Sequence, residues 1–262
     1  MTKIRALLTD IDGVIVLSED LHKEKIFEVA RDPLRLGDKV DPALGVVIDI
    51  AAVWNTQLSG IGDHRVYEWI CAKNENFPLS EEHFLSACEM YYLENAKNLK
   101  MRPTYAEAFD YFEACGLKMA AVSSGVRAQV DSNLAAAGII DRLMFSESAD
   151  DVEPGKTKPH PAPYLNALKK MNNSLRAQDL MHVDILPAEC LVIEDTASGA
   201  KSGAAAGMKT VHWKLEAGQA FCPEATFKLD TTGNLYSFAK SLMLADNSIL
   251  KASVKAAPRK DA

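Results

Sequence analysis

The sequence predicts an α/β protein with a parallel-sheet core and one inserted all-helical domain. After Pro103, short apolar runs that end in polar turns alternate with helical stretches, as in successive β-α-β units. Between Leu17 and Leu99 this alternation is missing, and apolar residues recur at helical spacing. A chain of 262 residues can hold a large core and a smaller insert. We predict residues 1–16 and 99–240 as the core, residues 17–98 as the insert and residues 241–262 as a C-terminal tail.

The first stretch of the core ends in two acids. The apolar run from Ile4 to Thr9 is typical of a buried parallel strand, and Asp10, Asp12 and Gly13 follow it. Side chains two apart on an extended segment share a face, so the two carboxylates should repel each other unless a cation lies between them. A hard cation such as Mg²⁺ meets that need, and the glycine allows a sharp turn. By itself an acidic strand end is also compatible with a helix cap or an exposed loop.

The insert is predicted to be entirely helical. Ser80, followed by two glutamates, has the pattern of a capped helix start. An insert placed directly after the first strand is a natural position for a lid over a site at that strand's end. The predicted helices of the insert span residues 20–30, 42–58, 66–72 and 80–99.

Helices and strands alternate in the rest of the core. Residues 172–186 are longer than a minimal connection and are expected to loop out, and the tail from residue 241 is expected to be irregular or a fraying surface helix. The predicted helices span residues 105–115, 127–137, 164–171 and 198–206. The predicted strands span residues 117–122, 143–145, 190–193, 210–213 and 226–229.

Polar groups follow four of the predicted strands. In a parallel sheet these strand ends share one edge, so the groups should converge on one pocket. The set suits phosphoryl transfer: a carboxylate can attack phosphorus, a second can move the proton, and hydroxyl and lysine groups can hold the charged oxygens. Lys156 is an alternative to the lysine of this set. The groups are Asp10 with Asp12, Ser123 with Ser124, Lys158, and Glu194 with Asp195.

Together these motifs resemble the haloacid dehalogenase superfamily, in its β-phosphoglucomutase-like branch of sugar-phosphate phosphatases and mutases with a helical cap. The resemblance covers the core from Ile4 to about Leu235. It implies a Rossmann-like three-layer core, an inserted cap and Mg²⁺ as cofactor. The four motifs are Asp10-Ile11-Asp12-Gly13-Val14, Val122-Ser123-Ser124-Gly125, Lys158-Pro159 with Pro161 and Tyr164, and Glu194-Asp195-Thr196 with Gly199.

The resemblance also implies a role for each motif residue. Asp10 would be the nucleophile and a metal ligand, and Asp12 would be the general acid and base and give a backbone carbonyl to the metal. The transferred phosphoryl group would be held by Ser123 and the Ser124 amide. Lys158 would bridge that group to the nucleophile. Asp195 would bind Mg²⁺, with Glu194 either joining it or holding metal-bound water.

Three residues of the insert are candidates for contact with the substrate. Glu19 and His22 occupy the hinge where relatives often carry an acidic residue and a nearby histidine, and Arg65 falls near a cap turn that often touches the sugar or distal phosphate. Leu17 replaces the polar residue common in relatives. As alternatives, His22 is a partly exposed helix residue and Arg65 an ordinary surface arginine.

The resulting hypothesis is a Mg²⁺-dependent phosphatase that acts on a small phosphorylated metabolite, such as a sugar phosphate, through an aspartyl-phosphate on Asp10. The first alternative is a phosphosugar mutase, in which a sugar hydroxyl replaces water as acceptor. The other is a non-catalytic protein that binds sugar phosphates, although such a protein needs no nucleophile.

Charge and cysteine content restrict the partners and the compartment. A net charge of −7, from 29 Lys and Arg residues against 36 Asp and Glu residues, argues against nucleic acid or an anionic membrane as a main partner. The five cysteines are scattered and form no CxxC pair, which indicates neither a disulfide framework nor a zinc site. We expect a cytoplasmic protein, and the sequence carries no signal for an oligomeric state.

Overall fold

The computed structural model describes residues 3–31, 54–58, 62–73, 75, 77–180 and 183–255, with side chains up to residue 245. The chain divides into two compact units. One consists of Met1–Val16 with Lys100–Ala262, and the other, the inserted unit, is Leu17–Leu99. Of the predicted helix over residues 42–58, only Trp54–Leu58 lies within the described residues, where it forms a helical turn.

The core contains a six-stranded parallel sheet in the order β3-β2-β1-β4-β5-β6, which confirms the predicted fold class. β1 lies at the centre between β2 and β4, and all of its residues are buried. Residues of β1 with alternate spacing, Ala6 and Leu8, pack in one apolar cluster with Tyr164 and Leu168. The strands are β1 Ala6–Thr9, β2 Lys118–Val122, β3 Ser146–Glu147, β4 Cys190–Glu194, β5 Lys209–Trp213 and β6 Phe227–Leu229.

Eight α-helices are present among the described residues. Three of them lie in the inserted unit and five in the core. Gly138, at a φ of 67°, ends one of them, as expected for a residue that tolerates the left-handed region. The helices are α1 Glu19–Arg31, α2 Asp63–Lys73, α3 Glu81–Ala96, α4 Tyr105–Ala114, α5 Arg127–Ala137, α6 Ala162–Ala177, α7 Ala197–Ala205 and α8 Leu235–Lys255.

Two predictions about connections and the sheet edge are wrong. The strand predicted at residues 143–145 begins at Ser146, because Ser146 and Glu147 pair with the last two residues of β2. The segment 172–186 does not simply loop out, because α6 continues to Ala177. Its buried Asn172 donates from Nδ2 to the carbonyl of Ile185 and accepts the Ile185 N–H, both at 2.9 Å.

The predicted start of the tail also differs from the structure. Residue 241 falls inside α8, which begins at Leu235 and continues to Lys255. Leu242 and Met243 are buried, and α8 packs against α4. The first part of the predicted tail therefore belongs to the core, because its apolar side chains are removed from water there.

The inserted unit has an apolar core of its own. α1 and α3 pack against each other around Ile26, Phe84 and Tyr92, which are fully buried. The hydroxyl of Ser80 accepts a hydrogen bond from the His83 N–H at the start of α3, so the predicted cap is confirmed. Packing between amphipathic helices of this kind stabilises the insert from within.

Candidate active site

Asp10, Lys158 and Glu194 lie together at the carboxyl edge of the sheet. Asp10 follows β1, Glu194 ends β4, and Lys158 lies in the loop between β3 and α6. The Lys158 Nζ lies 2.5 Å from Asp10 Oδ1 and 2.6 Å from Glu194 Oε1, and it donates to the carbonyl of Val122 at 2.7 Å. The lysine side chain is 5% exposed. A buried ammonium is thus held between two acids and the end of a third strand.

Asp12 belongs to a second hydrogen-bonded group on the same edge. Its Oδ2 accepts from the Ser123 hydroxyl at 3.3 Å, and its Oδ1 accepts from Asn133 Nδ2 at 3.0 Å. The Ser123 hydroxyl in turn accepts the Gly125 N–H at 2.9 Å. Ser123 does not cap α5, since Asp150 accepts the Arg127 N–H at that helix start. These contacts orient one carboxylate that remains partly exposed.

Three carboxylates form an acidic cluster. Asp10, Glu194 and Asp195 each offer an oxygen, and these oxygens lie within 4.8 Å of one another. All three residues are buried. Asp195 does not cap the following helix, because the Thr196 hydroxyl accepts the Gly199 N–H there. Its carboxylate is therefore available to the cluster.

Two glycines leave room for these acids. Gly13 has a φ of 73°, and a Cβ at its position would lie 2.1 Å from Asp195 Oδ2. A Cβ on Gly199 would lie 2.0 Å from the Glu194 carboxylate. Any side chain at either position would have to displace an acid of the cluster. The first and fourth motifs thus depend on each other sterically.

The electrostatics of the cluster follow from burial and crowding. Burial, together with the charge of Glu194, raises the pKa of Asp10 and of Asp195 well above the ordinary value. Burial alone would lower the pKa of Lys158, but the charges of Asp10 and Glu194 outweigh it and raise that pKa. The Tyr164 hydroxyl donates to Glu194 Oε1 at 2.5 Å. Burial, together with the charge of Glu194, raises the pKa of the Tyr164 hydroxyl well above its ordinary value. Negative charge therefore exceeds positive charge at this edge.

This donor set fits a divalent magnesium ion. The cluster offers only carboxylate oxygens, which are the ligands that hard cations prefer. A divalent cation would offset the mutual repulsion that raises the pKa values of Asp10 and Asp195. The side chain of Asp12 instead faces Ser123 and Asn133. Glu194, Asp195 and Asp10 are thus the side chains that would hold the ion.

The structure separates the two candidate lysines. Lys156 is paired with Glu153 at 2.5 Å, with its side chain 47% exposed, whereas Lys158 is buried among the acids. Ser124 is exposed at the start of the loop after β2, next to the buried Ser123. The edge of the sheet therefore brings together Asp10, Asp12, Ser123, Lys158, Glu194 and Asp195.

Three candidates for contact with the substrate lie in the inserted unit: Glu19, His22 and Arg65. Glu19 Oε1 accepts from Trp54 Nε1 at 2.8 Å, and the His22 ring lies 4.8 Å from the Tyr92 ring. Arg65 is exposed in the first turn of α2. Glu19 and His22 thus contact residues of the insert, and their role toward a substrate remains a prediction.

Two residues of the site were missed by sequence reasoning. Asn133 is fully buried in α5, beside the apolar positions Val130 and Leu134, and it orients Asp12. A polar residue on the apolar face of a helix is the signal that could have identified it. His212 of β5 is buried, accepts the Cys222 N–H at Nδ1 and therefore donates from Nε2 to the carbonyl of Asp195. No sequence pattern indicates that contact.

Two known proteins are similar to this chain in sequence over most of their length. The protein YhcW of Bacillus subtilis is named, on a provisional basis, as a phosphatase. It is 27% identical to this chain over 208 residues, which span 79% of this chain and 82% of YhcW. Protein CbbY of Rhodobacter capsulatus is 26% identical over 224 residues, spanning 80% of this chain and 85% of CbbY. No helix in the described part of the chain is long and apolar enough to cross a membrane.

Solved structures support the same fold. The β-phosphoglucomutase of Clostridium difficile superposes with a TM-score of 0.62 at 21% identity, over 94% of this chain and 99% of its own. CbbY from Rhodobacter sphaeroides, solved in complex with phosphate, superposes with a TM-score of 0.65 at 20% identity, over 86% of this chain and 93% of its own.

The family itself is shown by a match that spans most of the chain. The model of the haloacid dehalogenase-like hydrolase family matches residues 4–207, from β1 to the turn before β5. This range includes all four motifs and every residue of the acidic cluster. The chain therefore belongs to the haloacid dehalogenase-like hydrolases and is an enzyme of the hydrolase class.

Proposed function

We propose that this protein is a Mg²⁺-dependent phosphatase that hydrolyses a small phosphorylated metabolite, a sugar phosphate, through an aspartyl-phosphate on Asp10. One observation carries the proposal: a buried carboxylate at the end of the central strand is held by a buried lysine and stands among two further acids. A nucleophile, a neutralising cation and a metal-binding set in one place are what phosphoryl transfer requires.

In the proposed cycle, Asp10 and Asp12 do the covalent chemistry and the proton transfer. An Asp10 oxygen attacks phosphorus, the bond from phosphorus to the ester oxygen breaks, and Asp12 gives its proton to the departing alcohol. Water then attacks the aspartyl-phosphate while Asp12 takes its proton, which releases phosphate and restores Asp10. Ser123 and Asn133 hold Asp12 for this exchange.

Lys158 holds the charge that develops during both transfers. Its Nζ already contacts Asp10, so it can reach a phosphoryl oxygen joined to that residue. When bound, Mg²⁺ supplies electrostatic stabilisation of the phosphoryl oxygens. The acids of the cluster supply its ligands.

The relatives support this class of substrate without identifying the compound. YhcW is provisionally named as a phosphatase. The structure of an Asp-to-Asn variant of CbbY from Rhodobacter sphaeroides was solved in complex with xylulose-(1,5)bisphosphate. The name of YhcW points to phosphate esters in general, and the compound in complex with the CbbY variant is a sugar bisphosphate. We therefore propose sugar mono- and bisphosphates as the compounds to test first.

The test is phosphate release from a panel of sugar phosphates in the presence of Mg²⁺, with Asp10→Asn beside the wild type. The variant keeps the size of the side chain but removes the nucleophile, so we expect a loss of turnover of about 10³-fold or more. Asp20→Asn, which changes an exposed acid of α1, is the matched control and should retain wild-type turnover. Full turnover in Asp10→Asn would refute the mechanism.

A phosphomutase is the second candidate, because structures named β-phosphoglucomutase are among those that superpose on this chain. The same core residues serve both reactions, and only the acceptor of the phosphoryl group differs. Formation of an isomerised sugar phosphate that depends on a catalytic amount of the bisphosphate would identify the mutase. Stoichiometric phosphate release without isomerisation would identify the phosphatase.

A further inference from the structure

Arg102 is a buried arginine outside the four motifs. It follows Met101, which forms an antiparallel bridge with Val16, so it lies where the chain returns to the core. The residue is 5% exposed, and its guanidinium lies 3.5 Å from the centre of the Trp213 ring. Stacking of this kind fixes the plane of the guanidinium and therefore the directions of its N–H groups.

The hydrogen bonds of this side chain all go to backbone carbonyls. Nη1 donates to Gly13 at 2.7 Å and to Trp213 at 3.1 Å, and Nη2 donates to Lys214 at 2.5 Å. None of the carboxylates in the described part of the chain forms an ion pair with it. A buried guanidinium is ordinarily paired with an acid, because burying an unpaired charge is costly.

The carbonyls bound by Arg102 belong to two segments that enclose Asp195. Gly13 lies so close to the carboxylate that a Cβ would be 2.1 Å from Oδ2. Trp213 is the last residue of β5, and Lys214 follows it. His212 of the same strand donates to the backbone carbonyl of Asp195 at 2.9 Å. One guanidinium thus ties together the turn beside the Asp195 carboxylate and the strand end that holds the Asp195 backbone.

The charge of Arg102 acts on the same acid. Burial lowers the pKa of Arg102 to about 10, and Asp195 is the acid that opposes this effect. The arginine therefore offsets negative charge in the cluster without occupying a carboxylate oxygen. The Asp195 carboxylate oxygens, which Arg102 does not contact, therefore remain available to a cation.

We propose that Arg102 is a positioning residue for the cation site: by fastening the Gly13 turn to the end of β5, it holds the Asp195 carboxylate where Mg²⁺ binds. The inference rests on the proposed function, because it assumes that Mg²⁺ is the cation. The inference predicts that Arg102 controls the affinity of the protein for Mg²⁺, which can be measured without substrate.

The test is calorimetric titration of the metal-free protein with Mg²⁺. We expect Arg102→Met to bind at least about tenfold more weakly than the wild type, because it removes both the charge and the hydrogen bonds. Arg102→Lys keeps the charge, but a single ammonium cannot reproduce the planar fork, so its affinity should fall between the two. Asp195→Asn should lose most of the binding, since it replaces a charged carboxylate ligand with a neutral amide.

Arg142→Met is the matched control. Arg142 also lies over an aromatic ring, with its guanidinium 4.6 Å from the centre of Phe109, but its partners are the carboxylates of Asp110 and Glu113. It is 36% exposed, follows α5 and forms its ion pairs with acids that do not belong to the acidic cluster. This variant should bind Mg²⁺ as the wild type does, which separates loss of an arginine from loss of this arginine.

Circular dichroism and thermal unfolding in EDTA accompany each titration. If Arg102→Met is folded, destabilised and still binds Mg²⁺ with wild-type affinity, the residue is only structural and the inference is wrong. If Arg102→Met does not fold, Arg102→Lys decides: wild-type affinity in it overturns the inference, and weaker binding supports it. A wild-type protein that does not bind Mg²⁺ would refute the proposed metal dependence itself, which is a distinguishable result.

Discussion

In the core, polar groups that follow four different strands lie within hydrogen-bond distance of one another, as Asp12 with Ser123 and Lys158 with Asp10 show. In the inserted unit, the candidates Glu19 and Arg65 lie on separate helices, and the contact known for Glu19 is with another residue of the insert. A parallel sheet forces its strand ends onto one edge, whereas helices packed around an apolar cluster impose no common edge. Chain position therefore predicts contacts in the core far better than in the insert.

After the loss expected for Asp10→Asn, the next largest effect is expected at Lys158 of the core. Lys158→Met removes the cation between Asp10 and Glu194 and should lower kcat by at least about 100-fold, as loss of a group that stabilises the transition state does. Lys156→Met is the matched change two residues away, at a side chain that is 47% exposed, and should stay within about twofold of the wild type. Steady-state kinetics on the best substrate of the panel measures both. Equal losses in the two variants would contradict the placement.

A comparison of glycines extends the contrast to both units. Gly199→Ala places a Cβ 2.0 Å from the Glu194 carboxylate and should lower the free energy of unfolding by about 1–3 kcal/mol, with a loss of Mg²⁺ affinity. Gly62→Ala in the insert meets no atom of the described residues within 4 Å and should leave both quantities unchanged. Denaturant unfolding and metal titration are the measurements. A well-tolerated Gly199→Ala would show that Glu194 has room to move.

A smaller effect is expected if the insert reads the substrate. Arg65→Met removes an exposed charge and should raise KM for a sugar phosphate about 3- to 10-fold while kcat stays near the wild-type value, because a binding contact is lost and no step of the chemistry is touched. Glu19→Gln keeps an oxygen for the Trp54 N–H and serves as the milder comparison. A fall in kcat with unchanged KM would assign Arg65 to the chemistry instead.

The smallest expected effects are on stability, and the pH dependence of these effects is opposite in the two units. For Asp151 in the core, burial would raise the pKa, but hydrogen bonds from Ser148 and the ion pair with Arg127 lower it. A lowered folded-state pKa contributes stability above the ordinary value, and that contribution is lost as pH falls through the lowered one. Asp151→Asn should therefore lower the free energy of unfolding by about 0.5–1 kcal/mol at pH 7 and leave it unchanged in strong acid. The effect at pH 7 is small because solvent screens the partly exposed pair of Asp151 with Arg127.

His64 in the insert should behave in the opposite way. Its hydrogen bond and ion pair with Glu81 raise its pKa above the ordinary value near 6.5. A raised folded-state pKa contributes stability that is complete below the ordinary value and is lost as pH rises through the raised one. Thermal unfolding of His64→Gln at pH 5.5 and pH 8.5 should show the larger loss at pH 5.5. An equal loss at both values would contradict the ion pair.

Much of the core was predictable because the signals are local. Apolar runs that end in Asp10, Ser123 and Glu194 are strands in the structure, and their common direction follows from the helices between them. Element ends were less predictable. The short apolar run before Ser146 looked like a strand, and α6 continues past its predicted end to Ala177, with the buried Asn172 side chain bonded to the Ile185 backbone. Such partners lie outside any local window of sequence.

The sequence by itself determined the fold class, the order of the motifs and the chemical type of the site, because these depend on periodicity and on residue type at strand ends. Only the tertiary structure decided which lysine reaches Asp10, that Asn133 orients Asp12, and that Arg102 ties the Gly13 turn to β5. Each of these contacts joins residues more than 80 positions apart. Their geometry is set by how strands and helices pack in three dimensions, and no pattern along the chain encodes it.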